Sequence, residues 1–374
     1  MGKLVYFVAG SELRTFPGAQ GCPLMINVPK HCLNTGDIER TRLLNQMVRP
    51  RYEIQDCGGF QTLQEELKAL SKEQNGKPTK VSLEEKVTPV VIAGAAARMN
   101  PTLMIALDKP VLKIKDPQER EAEFKAKFDF NVAGTIETFR EWKKQCPQVG
   151  FFVPFQGYEL SHLHKFLEAI KGISFHGFCM PLRSMNIYET GLFLTRFWQL
   201  GVKNVHLLGV TAFFTIALGA YMARNYFHWV SADSQSWHYA ASHSEYMSPY
   251  DLLRVNVNQD VIIPVRPALD CQCHFCKGRT FAYIRHLPFD DRRVFLSGHN
   301  HFVIEKAFKD LYAHAGDIRT LVSFVDSRSR NEKKVQELYE TLCLIETFKD
   351  KDLRYFEALI SKKTDRRSRG LLLH

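Results

Sequence analysis

The chain has 374 residues, of which 45% are hydrophobic and 24% charged, a balance typical of a globular protein with a sizeable core. No stretch reaches the ~18 apolar residues of a membrane span, and the first residues, MGKLVYFVAG, are too weakly apolar for a secretory signal. The formal net charge of +10 favours a polyanionic partner such as nucleic acid, although an enzyme that is merely basic would also show it. We therefore expect a cytoplasmic protein without membrane contact.

Apolar, β-rich runs recur along the chain, and most of the later ones are followed by a segment with helical spacing. The predicted strands are 3–9, 23–28, 52–56, 103–108, 150–156, 173–178, 204–209 and 228–233. The predicted helices are 117–146, 158–171, 185–200 and 212–226. Near-continuous apolar strands that alternate with amphipathic helices are typical of a parallel sheet buried on both faces. Because eight strands are available, the pattern predicts an α/β fold of the (β/α)8 barrel type.

A polar or glycine residue closes six of the predicted strands. These residues are Asp56, Asp108, Gln156, Gly177, Gly209 and Asp233. In a (β/α)8 barrel the carboxyl ends of the strands form the mouth where chemistry occurs, so these positions are expected to converge. Aspartate and glycine are also common helix caps and turn formers, which is the alternative for any single position. Six in sequence, with three carboxylates among them, favour a site.

Three of the nine cysteines fall within the stretch CQCHFC at 271–276. Their C-x-C-x2-C spacing lets one loop present three sulfurs to a single ion, and SGHNHF at 297–302 offers an imidazole. Such a set makes a closed tetrahedral zinc site, which is typically structural because no position stays open for water. The predicted ligands are Cys271, Cys273, Cys276 and one of His299 and His301, between which the spacing does not choose. In a reducing cytoplasm the other cysteines are expected to be ordinary small residues rather than disulfide partners.

Several of these segments resemble motifs of the tRNA-guanine transglycosylase family. The stretch DCGGFQ at 56–61 is similar to the family's Asp-Ser-Gly-Gly-Phe-Gln signature, with cysteine in place of serine. LMIALD at 103–108 and VPFQG at 153–157 resemble its guanine-binding strand and its Val-Gln-Gly strand end. HLLGV at 206–210 and ADSQS at 232–236 resemble its Leu-Met-Gly-Val strand and its nucleophile motif. The matches follow the family's order along the chain.

The cysteine run followed by His-Asn resembles the family's zinc site, and this match favours His299 over His301. The resemblance implies one transglycosylase barrel over residues 1–374, with a zinc-binding insertion at about 255–312 near its carboxyl-terminal end. Zn²⁺ would then be a structural cofactor. A helical, basic tail is expected at about 330–374, where the run KKTDRRSR lies.

By this resemblance Asp233 is the nucleophile of a base exchange, which breaks an N-glycosidic bond and remakes it with another base on the same sugar. A carboxylate suits the role because the transition state at C1′ is cationic and the carboxylate can trap it covalently. Asp56 matches the family's second active-site aspartate, which acts as general acid/base toward the departing and incoming bases. The substrate-binding residues implied are Asp108, Gln156, Gly177, Gly209 and Phe60. Of these, Phe60 is the candidate to stack on the base. Gly177 begins the segment Gly-Phe-Cys of this chain, where the family has Gly-Gly-Leu.

The nucleic acid is inferred from departures from the family pattern. Bacterial tRNA enzymes follow the nucleophile with a Pro-Thr-Arg-Asn run, whereas this chain reads SQSWHYAASHSEY at 234–246. The chain also ends soon after the zinc segment, where archaeal tRNA enzymes carry further RNA-binding domains. The pattern is most similar to the DNA 7-deazaguanine transglycosylases, so we expect exchange of guanine in DNA for a free preQ0-like base.

Two alternatives stay open at this point: a tRNA-guanine transglycosylase, and a non-catalytic, zinc-containing partner subunit that binds nucleic acid. The resemblance also makes a homodimer, or partner proteins of a DNA-modification cluster, an expectation.

Overall fold

The computed structural model describes residues 2–9, 21–59, 61, 86–114, 116–182, 185–210, 212–258 and 269–361. Two features singled out in the sequence, Phe60 and the basic run at 362–369, lie outside the described residues. Among the described residues, no helix combines the length and the apolar character that crossing a membrane requires.

Eight parallel strands close into a barrel in chain order. They are β1 (Lys3–Ala9), β2 (Leu24–Asn27), β3 (Glu53–Asp56), β4 (Leu103–Ile105), β5 (Gly150–Pro154), β6 (Gly177–Pro181), β7 (Asn204–Leu208) and β8 (Trp229–Ser234). The barrel closes between β8 and β1, where Asp233 lies opposite Phe7. The predicted (β/α)8 barrel is therefore confirmed.

Helices alternate with the strands and continue after the barrel. They are α1 (Val28–His31), α2 (Thr35–Val48), α3 (Pro89–Met99), α4 (Pro117–Gln145), α5 (Leu160–Ala169), α6 (Ile187–Gln199), α7 (Phe213–Asn225), α8 (Ser236–Ser242), α9 (Phe281–His286), α10 (Phe289–His314), α11 (Ile318–Arg328) and α12 (Glu332–Phe348). Residues 354–361 are also helical. A small antiparallel pair, β9 (Glu245–Met247) and β10 (Arg254–Asn256), follows the barrel. The four helices predicted from spacing, α4 to α7, are confirmed to within two residues at each end.

Local chemistry explains where the helices begin. The Asp116 carboxylate accepts hydrogen bonds from the N–H groups of Gln118 and Glu119, both at 2.9 Å, and so caps α4. At α6, Asn186 and Glu189 form a reciprocal capping box. Each cap satisfies amide groups that the first helical turn leaves unpaired.

Alternate side chains of the strands fill the barrel interior. Phe7 of β1 belongs to a buried inner cluster with Ile54 and Phe152, whereas its neighbours Tyr6 and Val8 pack outward with the helices. This alternation follows from the two-residue period of a strand. Each large apolar side chain buried in this way contributes about 1.5–3 kcal/mol. The interior is thus a packed core that supports the mouth from below.

The sixth strand lies later than the sequence pattern predicted. β6 begins at Gly177, whereas the predicted strand 173–178 nearly ends with it. A Cβ at Gly177 would lie 2.5 Å from the carbonyl oxygen of Asn204, so close backbone approach explains the glycine. Gly177 therefore lies at the amino end of its strand, away from the mouth, and the expectation that it closes the strand is wrong.

Candidate functional site

Three predicted carboxylates converge at the carboxyl ends of the barrel strands. Asp56 is the last residue of β3, Asp233 is the fifth residue of β8, and Asp108 follows β4 by three residues. The carboxylates are close enough for the charges of Asp108 and Asp233 to act on the pKa of Asp56. The predicted strand-end carboxylates therefore do form a cluster, because the carboxyl ends of parallel strands meet on one side of the barrel.

The surroundings of Asp56 bring its pKa close to neutral pH. Burial, and then the charges of Asp108 and Asp233, raises its pKa to about 7. Asn27, at the end of β2, donates from Nδ2 to Asp56 Oδ2 at 2.7 Å and to Gln61 Oε1 at 2.9 Å. This contact partly offsets the rise in the pKa, and it orients the Asp56 carboxyl toward the mouth.

Asp108 is held by two neighbours. Gln156, two residues beyond β5, donates its Nε2 to Asp108 Oδ2, and the Cys57 thiol donates to Oδ1 at 2.9 Å. Burial raises the pKa of the Asp108 carboxyl. A Cβ on Gly59 would lie 2.5 Å from Asp108 Oδ1, so glycine is required there by close approach. Each carboxylate oxygen keeps a further lone pair for a ligand donor.

Asp233 receives its hydrogen bond from the neighbouring strand. The Gly209 N–H, just after β7, donates to Asp233 Oδ1 at 2.9 Å. Gly209 has a φ of +71°, in the left-handed region that favours glycine, and this conformation aims its N–H at the carboxylate. The imidazole of His206, also on β7, places Nε2 3.3 Å from the same oxygen.

The cysteine cluster forms a separate, buried centre beyond the barrel. Ligand atoms of Cys271, Cys273, Cys276 and His299 all lie within 4.8 Å of one another. The Nδ1 atom of His299 lies 3.2 Å from the sulfur of Cys276 and 3.6 Å from that of Cys273. Its Nε2 is 2.8 Å from the Met247 carbonyl oxygen, a contact that leaves Nδ1 free to bind an ion. The four side chains can therefore hold a metal ion.

The structure also decides between the two candidate histidines. His301, two residues further along α10, places its Nε2 3.7 Å from the sulfur of Cys22 instead. Asn300, between them, accepts a hydrogen bond from the Met247 N–H at 2.9 Å and ties α10 to β9. His299 is the histidine of the cysteine cluster.

A family model described as queuine tRNA-ribosyltransferase matches residues 33–333, most of the chain. The chain belongs to this family. No individual curated protein matches it. Family membership makes the chain a transglycosylase, a pentosyltransferase that acts on nucleic acid. Strands β3 to β8, the carboxylate cluster and the cysteine cluster lie within the matched residues.

As a transglycosylase, the chain brings most of its predicted site residues together. Asp56, Asp108, Gln156 and Gly209 join Asp233 at the mouth. Gly177 does not, because it begins β6. Phe60 lies outside the described residues, so its stacking role stays a prediction.

Three residues at the transglycosylase mouth or just below it were missed from the sequence. Asn27 closes β2 as a polar residue, so the strand-end rule could have found it. His206 is an ionisable residue in an otherwise apolar strand, which was a usable signal. Cys179 of β6 is buried, and its thiol pKa is raised by burial and then by the charges of Asp108, Asp56 and Asp233. A lone cysteine in an apolar run carries no such signal.

Proposed function

We propose that the protein exchanges a guanine base of DNA for a free 7-deazaguanine base through a covalent intermediate on Asp233. The observation that carries this proposal is the pair of carboxylates in different settings at one mouth. Asp56 has a pKa raised to about 7, whereas Asp233 accepts a backbone hydrogen bond from Gly209. Two such environments suit one proton carrier and one nucleophile.

The proposed reaction has two balanced steps. In the first, an Asp233 oxygen attacks C1′, the bond from C1′ to the base breaks, and its electron pair leaves with guanine. Protonated Asp56 supplies the proton that neutralises the departing base. In the second, the N9 of the incoming base attacks C1′, its proton passes to Asp56, and Asp233 leaves as a carboxylate.

Asp108 and Gln156 are proposed to recognise the base. A carboxylate accepts hydrogen bonds from the N1–H and exocyclic amine of a guanine-like base, and an amide donates to its O6. Gln156 already donates to Asp108, so the two are oriented before the base arrives. Because such a pocket reaches the edge of the base, the nucleotide must be extruded from a duplex.

The cysteine cluster is proposed to hold Zn²⁺ as a structural ion. Three thiols, an imidazole and a carbonyl that accepts from the other imidazole nitrogen fit the preferences of that ion. The four ligands would close the site and fasten the cysteine loop at 271–276 to α10. The cluster therefore takes no part in the exchange.

DNA is the proposed substrate because of the segment after the nucleophile. Residues 234–253 contain no lysine or arginine. Within this segment α8 packs into the fold: Trp237 is buried, and its Nε1 donates to the Ala9 carbonyl at 3.1 Å. The segment therefore lacks the Pro-Thr-Arg-Asn run that follows the nucleophile in bacterial tRNA enzymes, together with the arginine that the run would supply. The second candidate is exchange in tRNA, because the matching family model is described by a tRNA reaction.

The test incubates the protein separately with plasmid DNA and with bulk tRNA, each with labelled guanine or preQ0. We expect label in DNA. Label in tRNA alone would contradict the DNA assignment, and label in neither would contradict exchange itself. Asp233→Ala and the isosteric Asp233→Asn should abolish exchange and any adduct that survives denaturation, with metal content unchanged. Wild-type exchange by either variant would remove Asp233 as nucleophile, whereas absence of exchange by the wild-type protein would favour the non-catalytic partner subunit.

A further inference from the structure

His206 occupies a buried position beside the proposed nucleophile. It is the middle residue of β7, is fully buried, and lies opposite Ser231 of β8 in the sheet register. The edge of its ring meets Phe7, with centroids 5.9 Å apart and planes at 77°. The imidazole is therefore held by packing between the barrel interior and the mouth.

The two ring nitrogens have different neighbours. Nδ1 lies 2.9 Å from the Ser231 hydroxyl oxygen. Nε2 lies 3.3 Å from Asp233 Oδ1 but is not aligned as a hydrogen bond, so this buried nitrogen has no hydrogen-bond partner among the described residues. A buried polar nitrogen that has no hydrogen bond and lies 3.3 Å from a carboxylate oxygen is an unusual arrangement for a purely structural residue.

We propose that His206 is a positioning residue that donates its Nε2–H to Asp233 Oδ1 when substrate is bound. When the Ser231 hydroxyl donates to Nδ1, the neutral imidazole carries its proton on Nε2. The Gly209 N–H already donates to Oδ1 at 2.9 Å. Both donors then converge on Oδ1, and within the described part of the chain no hydrogen bond reaches Oδ2, so Oδ2 is the oxygen that attacks C1′.

This inference rests on the proposed base exchange and predicts which step depends on His206. In the covalent intermediate Oδ2 is bonded to C1′, and Oδ1 is an ester carbonyl oxygen. When the incoming N9 attacks C1′, the bond from Oδ2 to C1′ breaks and negative charge returns to the carboxylate. Donors fixed on Oδ1 stabilise that charge, so they favour release of the intermediate. Loss of His206 should then slow turnover and let the adduct accumulate.

The variants are chosen by the reach of their amide groups. In His206→Gln the side-chain amide nitrogen can reach the place of Nε2 and keep a donor on Asp233. In His206→Asn the amide reaches only the place of Nδ1, so this variant is the matched control. His206→Phe removes both contacts but keeps a ring. Metal content and thermal unfolding of each variant report whether the fold is intact.

We expect His206→Asn and His206→Phe to lower kcat by about 10- to 100-fold, with KM for the base changed less than about 3-fold. The fraction of chain trapped as denaturation-resistant adduct should rise in both, and His206→Gln should restore most of kcat. His206→Asn with wild-type kcat and adduct fraction would overturn the proposal. If His206→Phe unfolds, the Gln and Asn pair still decides.

A second measurement does not need activity. Long-range ¹H–¹⁵N spectra of histidine-labelled protein, with the His206 signals identified by their loss in His206→Gln, report which ring nitrogens are protonated. We expect a proton on Nε2, and an unprotonated Nε2 would overturn the proposal. If the wild type exchanges no base on either nucleic acid, the proposed function fails, and this spectrum still tests the contact.

Discussion

Replacing Asp56 with asparagine tests whether its carboxyl is tuned for proton exchange. Burial and two neighbouring carboxylates raise its pKa from 3.8 to about 7. The folded chain therefore keeps this proton up to about pH 7, whereas the unfolded chain releases it at about pH 4. Because the folded state binds more protons in that window, this group's contribution to stability is present below about pH 4 and is lost as the pH rises through about 7. Asp56→Asn has no such proton to lose.

The size of the effect follows from the same pKa values. A rise from 3.8 to about 7 corresponds to about 4 kcal/mol of unfolding free energy. Asp56 is only partly buried at the mouth, so solvent screening reduces the expected change to about 1–2 kcal/mol. Relative to wild type, Asp56→Asn should gain this amount between about pH 5 and about pH 8.5.

Urea unfolding of both proteins at the two pH values measures the difference. Comparing variant with wild type at each pH cancels changes common to both, such as loss of metal in acid. Asp350→Asn, at an exposed position, is the matched control for removal of one carboxyl. A stability difference between Asp56→Asn and wild type that is the same at both pH values would refute the raised pKa, and with it the acid/base role.

The remaining predictions concern the base pocket and the metal. Cys276→Ser should lose the bound ion and unfold at a temperature lower by several degrees, as metal analysis and calorimetry would show; full metal content would contradict the ligand set. Gly59→Ala should raise KM for the base at least about 10-fold in steady-state kinetics, because the added Cβ would displace Asp108. An unchanged KM would argue against Asp108 as the residue that accepts hydrogen bonds from the base. Cys57→Ser keeps a donor to Asp108, so its kcat/KM should stay within about 3-fold of wild type, whereas the kcat/KM of Cys57→Ala should fall further. Equal kcat/KM values for the two variants would show that the contact is dispensable.

Much of the fold followed from local patterns. A strand buried on both faces is a run of apolar residues, and a helix packed against it has apolar residues at 3.6-residue spacing. Both patterns were visible without long-range information. The start of β6 was not, because two glycines, Gly172 and Gly177, interrupt this part of the chain and the pattern does not show which of them precedes the strand. That position was decided by the contact of β6 with β7, a tertiary interaction.

The sequence by itself determined which chemistry the chain carries: carboxylates at strand ends and a cysteine run with metal-ligand spacing. Only the tertiary structure decided how those groups are tuned. His299 rather than His301 faces the cysteines because residues two apart on a helix point in nearly opposite directions. Pairing of β2 with β3 brings Asn27 to Asp56, and pairing of β7 with β8 brings His206 to Asp233, although the members of each pair are far apart along the chain. A pKa and a hydrogen-bond partner depend on such neighbours, so they appear only when the strands meet.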